Sequence, residues 1–75
     1  MEKMITENGV KPIVYCKLKQ FYFHNPQLCT AFIVRTSPHP KLGSAKGGLT
    51  VTSQVLVINF QRKFFETQNT VYRWA

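Results

Sequence analysis

Residues 13–24 read IVYCKLKQFYFH, and their alternation decides what kind of fold the chain adopts. The even positions are Val14, Cys16, Leu18, Gln20 and Tyr22, and the odd ones are Tyr15, Lys17, Lys19, Phe21 and Phe23. One set is mostly apolar; the other alternates rings with ammonium groups. A repeat of two places successive side chains on opposite faces of a pleated strand, so this stretch predicts a half-buried strand.

The flanking signals agree with a sheet. Upstream, Asn8-Gly9 separates this strand from KMITE. Asn-Gly between strand-like runs marks a hairpin, because both central residues of a type I′ turn need positive φ. Pro12 lacks a ladder donor, which places the start of the second strand at an edge or a bulge. Downstream, Asn25-Pro26 ends the run. Asn before Pro also suits the cap and first position of a short helix over 26–34. The β-branched and aromatic residues of TAFIVRT (30–36) favour a strand there instead.

Residues 37–48, SPHPKLGSAKGG, carry no apolar period and predict a basic loop, functional or mobile at this length. GSAKGG lacks the spacing of a phosphate-cradling loop. LTVTSQVLVINF (49–60) reads as the clearest strand, and its run Val55 to Ile58 suits a central strand covered on both sides. QRK (61–63) turns the chain into FFETQ, and Asn69-Thr70 marks a turn before VYRW, completing an antiparallel meander. The expectation is an all-β domain with at most one short helix: a small antiparallel barrel or strongly bent sheet of five to six strands.

Seventy-five residues leave room for one domain, 1–75, with one core. At 44% hydrophobic and 13% aromatic, the chain is too apolar for a disordered tail. Ten Lys/Arg against three Asp/Glu give +7, a potential that favours anionic partners. Such a charge also keeps a small protein dispersed, but here the basic residues are spread through the strands themselves, which points to a polyanion or an acidic protein surface. MEKMITENGV has no apolar core of a secretory signal, and AFIV and VLVI are too short to span a bilayer. A reducing cytoplasmic setting and no membrane partner are therefore expected. Cys16 and Cys29 then read as buried free thiols. With His24 and His39 they form C-x7-H-x4-C-x9-H, which matches no common zinc pattern, so neither metal nor other cofactor is expected.

Catalysis finds little support. Glu2, Glu7 and Glu66 are too few and scattered for a metal centre. A metal-independent ribonuclease or toxin using His24 or His39 beside a cation is the enzymatic alternative. Rings interleaved with cations say more, since rings stack bases and Lys or Arg hold phosphates. The candidates for partner or nucleic-acid contact are Tyr15, Lys17, Lys19 and Phe21 on one strand face and Arg35 on the next strand. Lys41 and Lys46 in the loop join them, with Arg62, Lys63, Tyr72, Arg73 and Trp74 at the C-terminal hairpin. Against this, a small barrel needs rings to fill it, and Phe21, Phe23, Phe60, Phe64, Phe65 and Trp74 are all candidates for core. The cations are expected outside, with Glu66 in an ordinary exposed ion pair with Arg62 or Arg73.

TSQVLVINFQRKFFETQNTVYRW (52–74) resembles the C-terminal half of short proteins encoded by bacteriophages and prophages. The matching positions are Thr52, Ser53, Val55, Ile58, Glu66, Thr67, Asn69, Thr70 and Tyr72. The shared pattern is hairpin chemistry. The resemblance implies a phage origin and a non-catalytic accessory role: binding and inhibiting a host protein or ribonucleoprotein, as anti-CRISPR proteins do with nucleic-acid-handling defence complexes. Direct nucleic-acid binding by the same surface is the alternative.

Overall fold

A computed structural model describes residues 2–37 and 48–75, and these contain strands and no helix. The strands are β1 (Lys3–Thr6), β2 (Gly9–Asn25), β3 (Leu28–Arg35), β4 (Leu49–Val51), β5 (Val57–Asn59), β6 (Phe64–Glu66) and β7 (Val71–Arg73). The all-β expectation holds. The seven strands form one open sheet in the order β4-β3-β2-β7-β6-β5, with β1 paired to β2 off this path. That is one strand more than expected, and the β2–β7 pair is parallel. The helix alternative at 26–34 gives way to strand: Pro26 and Gln27 make the turn, and β3 pairs antiparallel with β2 from Leu28 onward.

Three local readings are corrected. The β1–β2 hairpin forms as expected, but only Gly9 takes positive φ, at 113°, and Asn8 does not. The Thr6 hydroxyl instead accepts the Asn8 N–H at 3.0 Å, so the turn closes over Glu7 and Asn8. The second correction concerns residues 49–60, which are not one central strand. They split into β4 and β5, the two outer strands of the path, and Leu56 and Val57 are half exposed. Between them, the Thr52 and Val55 N–H groups bond Ala31 and Cys29 of β3, and the Leu56 N–H then bonds Glu66 of β6. This segment hands the chain from one sheet edge to the other, curling the sheet around the core. The strands covered on both faces are β6 and β7, whose residues Phe64, Phe65, Glu66, Val71 and Tyr72 are all buried.

The third correction is register. Leu18 pairs with Ile33 but Gln20 pairs with Phe32, leaving Lys19 as an extra residue on β2. One extra residue reverses which face each later side chain occupies. Before the bulge Val14, Cys16 and Leu18 point inward; after it Phe21 does, opposite the buried Ala31.

The main core gathers Val14, Cys16, Cys29, Ala31, Ile33, Val55, Phe65 and Tyr72 on the inner face. On the outer face, Met4 of the N-terminal hairpin packs over Ile13, Phe64 and Val71. That hairpin covers only one end of the outer face. No helix among the described residues is long and apolar enough to cross a membrane.

Candidate interaction surface

The uncovered part of the outer face is built in rows by the register. Lys17 pairs with Val34 and Val34 with Leu49; Gln20 pairs with Phe32 and Phe32 with Val51; Tyr22 pairs with Thr30. Paired residues in a sheet share a face, so these side chains form one surface. Leu49 is 64% exposed, Val51 54% and Tyr22 48%. Tyr22 meets Phe32 and His24 edge to face, at 6.4 and 4.6 Å between ring centres. Lys19, Gln20, Phe32 and Leu49 line a shallow hollow of about 280 Å³. Parallel pairing of Tyr15 with Arg73 extends the same face toward β7.

Four of the sequence candidates therefore meet here: Tyr15, Lys17, Lys19 and Arg73, all exposed. Tyr15 donates its hydroxyl hydrogen to Glu2 at 2.7 Å, and this bond, with the negative charge beside it, holds the phenol above its ordinary range.

The remaining candidates lie elsewhere. Phe21 is turned inward by the bulge and packs against the core beside Phe65 and Trp74, which corrects its placement with Lys17 and Lys19. Tyr72 is buried and stacked on Phe65 at 4.9 Å, so it supports the fold and offers no ring to a partner. Burial raises its phenol above the ordinary range despite a hydrogen bond with Thr70. Arg35 is half-buried at the end of β3, paired with Cys16. Arg62 and Lys63 are exposed in the β5–β6 turn, and Trp74 is half-buried beside it. Lys41, Lys46 and His39, with most of the loop expected over 37–48, lie outside the described residues.

Glu66 overturns another expectation. It is 2% exposed and pairs with Lys11 at 2.6 Å, not with Arg62 or Arg73. Lys11 also donates to the Thr67 carbonyl at 2.7 Å, and the Thr6 hydroxyl donates to Glu66 at 2.8 Å. Burial pushes the Glu66 carboxyl up, but hydrogen bonds from Lys11, Thr6 and Asn8 and the Lys11 charge outweigh it, and its pKa falls below the ordinary value. In the turn that follows, the Thr67 N–H bonds the Thr70 carbonyl at 2.9 Å. The Glu-Thr-Gln-Asn-Thr motif thus builds a turn and half of a buried ion pair.

This internal pair sharpens the electrostatics. Setting aside Lys11 and Glu66 leaves nine bases and two acids, so the entire +7 lies outside the pair. Of those two acids, Glu2 is engaged by Tyr15. No described carboxylate lies within ion-pair distance of Lys17, Lys19, Arg62, Lys63 or Arg73.

The groups considered for chemistry are dispersed. Cys16 and Cys29 are buried free thiols toward opposite ends of the β2–β3 ladder: Cys16 pairs with Arg35, six positions along β3 from Cys29, roughly 20 Å at strand rise. Burial raises the Cys16 pKa to about 11. Exposed His24 bonds the Thr30 hydroxyl at 3.0 Å. Among the described residues no three His, Cys, Asp or Glu gather to hold a metal.

Sequence reasoning missed Phe32, Leu49 and Val51 as surface residues. In TAFIVRT both alternating sets are apolar, so nothing marks which faces outward. Phe23 and Phe60, core candidates by residue type, are 61% and 68% exposed. Comparison with models of protein families, with curated proteins and with solved structures finds no match.

Proposed function

We propose that the chain is a non-catalytic accessory protein of phage type that inhibits a host component, of the nucleic-acid-handling defence class, by occupying an acidic surface on it. One observation carries this reading: an apolar strip, exposed at Tyr22, Leu49 and Val51 and half-buried at Phe32, is bordered by Lys17, Lys19 and Arg73 and faces away from the core. An apolar centre with a charged rim is the usual make-up of a protein-binding patch. Aliphatic side chains such as Leu49 and Val51 add nothing to base stacking, which favours a protein surface over bare nucleic acid for this face. The unpaired cations demand acidic complementarity, which speeds encounter and selects the partner.

The test is capture followed by charge reversal. The wild-type chain is expected to form a stoichiometric complex with one defence component and to block its activity. Lys17→Glu/Lys19→Glu should retain the β-type circular dichroism spectrum, while capture weakens at least tenfold and falls with added salt. Inhibition that survives the double reversal would refute this surface as the site.

A further inference from the structure

The β5–β6 turn carries a second basic and aromatic group that the outer-face strip does not use. Phe60 opens the β5–β6 turn and is 68% exposed. Such exposure of a large ring is accompanied here by firm placement. Phe60 meets Phe21 at 5.8 Å and 85°, and Trp74 at 6.4 Å and 73°. Both are edge-to-face contacts that hold the ring, and most of the residue remains open to solvent. The turn itself is tied on both sides: the Arg62 N–H bonds the Asn59 side-chain oxygen at 2.9 Å, and the Trp74 N–H bonds the Lys63 carbonyl at 3.0 Å. Lys63 sits at φ 59°, a left-handed conformation that a lysine adopts at a cost. The turn places Arg62 and Lys63, both exposed, two and three residues from an open ring, and residues 57–65 contain no acid.

From this arrangement we infer that the β5–β6 turn is a binding site for single-stranded nucleic acid, with a base stacked on Phe60 beside Trp74 and the adjoining phosphates held by Arg62 and Lys63. The reason lies in the residue types. A flat ring face with neighbouring cations satisfies a base and its backbone together, and it tolerates any sequence because every base has a π-face. An acidic peptide would satisfy the cations alone and leave the ring unused. Duplex DNA hides its base faces within the stack. The site shares no residue with the outer-face strip, so it stands or falls independently of the proposed protein partner.

Trp74 is the single tryptophan of the chain and touches Phe60, which supplies the readout. Titration with a dT oligonucleotide of about ten bases at low salt should quench its emission. Phe60→Ala should weaken binding about tenfold, within the range a lost stacked base produces. Arg62→Ala/Lys63→Gly should reduce the slope of log affinity against log salt by about 1.4, at roughly 0.7 per lost phosphate contact on a single strand. Glycine relieves the left-handed strain at 63, so that variant keeps its fold. Lys3→Ala removes an exposed cation on β1, outside this turn, and should leave the Phe60 dependence intact. The inference is overturned by absence of quenching at low salt. It is equally overturned if Phe60→Ala binds as tightly as wild type, or if polyglutamate competes as well as the oligonucleotide.

Discussion

Lys11 and Glu66 show how one buried pair shapes both stability and surface. Each is almost fully buried, and each finds further partners, Thr67 for the lysine and Thr6 for the carboxylate. A buried charge with its partner removed is far costlier than the pair is favourable. Glu66→Gln should therefore lower unfolding free energy by about 3–5 kcal/mol, whereas Lys11→Met/Glu66→Leu should be near neutral or more stable. Urea midpoints of the two variants at pH 7 decide between these outcomes. The pH dependence follows from the direction of the shift. The Glu66 carboxyl is depressed in the folded state, so its contribution is present above its ordinary pKa and fades as pH falls through the folded one. Wild type should lose stability on acidification below the ordinary glutamate range, and the double variant should lose less.

At the scale of the element, the bulge at Lys19 governs what β2 presents to either side. Because this residue has no partner opposite, Phe21 turns inward to meet Phe65 and Trp74, and Gln20 and Tyr22 turn outward to meet Phe32 and Thr30. Deleting Lys19 would join Leu18 directly to Gln20, giving simple alternation with Phe21 still inward and Tyr22 still outward. The deletion should therefore keep the fold at a cost of about 1 kcal/mol, whereas Phe21→Ala, which empties the inward site, should cost about 3 kcal/mol or more. Lys19→Ala keeps the chain length and should cost well under 1 kcal/mol. Thermal melts followed by circular dichroism and Trp74 emission separate these variants. A deletion as destabilising as Phe21→Ala would mean that the pairing beyond the bulge is lost with this residue.

For the molecule as a whole, small size and uniform charge act against each other. The Cα radius of gyration is 11.5 Å, so no two surface cations lie far apart. Two like charges about 15 Å apart repel by roughly 0.3 kcal/mol in water, and nine bases with two acids multiply that many times. The compact state carries this repulsion more than the expanded one. Raising salt from about 0.01 to 0.15 M shortens the screening length from roughly 30 to 8 Å, so the urea midpoint should rise with salt. A midpoint that falls over this range would show that the surface charges are compensated. An anionic partner relieves the same repulsion, which links the charge excess to binding.

The sequence alone determined the class of fold, because strand alternation, Asn-Gly and the run of β-branched residues are local signals that act through local sterics. It also determined the net charge and the buried state of the two cysteines. Turn positions after Asn25, Phe60 and Gln68 were legible for the same reason. What tertiary structure decided was everything that depends on pairing between distant residues. The split of residues 49–60 into two outer strands follows from hydrogen bonds to Ala31, Cys29 and Glu66. Phe32, Leu49 and Val51 reach the surface because the sheet is open and the N-terminal hairpin covers only one end of it. Lys11 enters the interior because Glu66, fifty-five residues later, is brought beside it. A side chain's face is set by register, and register is a property of two strands at once, so no single stretch of residues contains it.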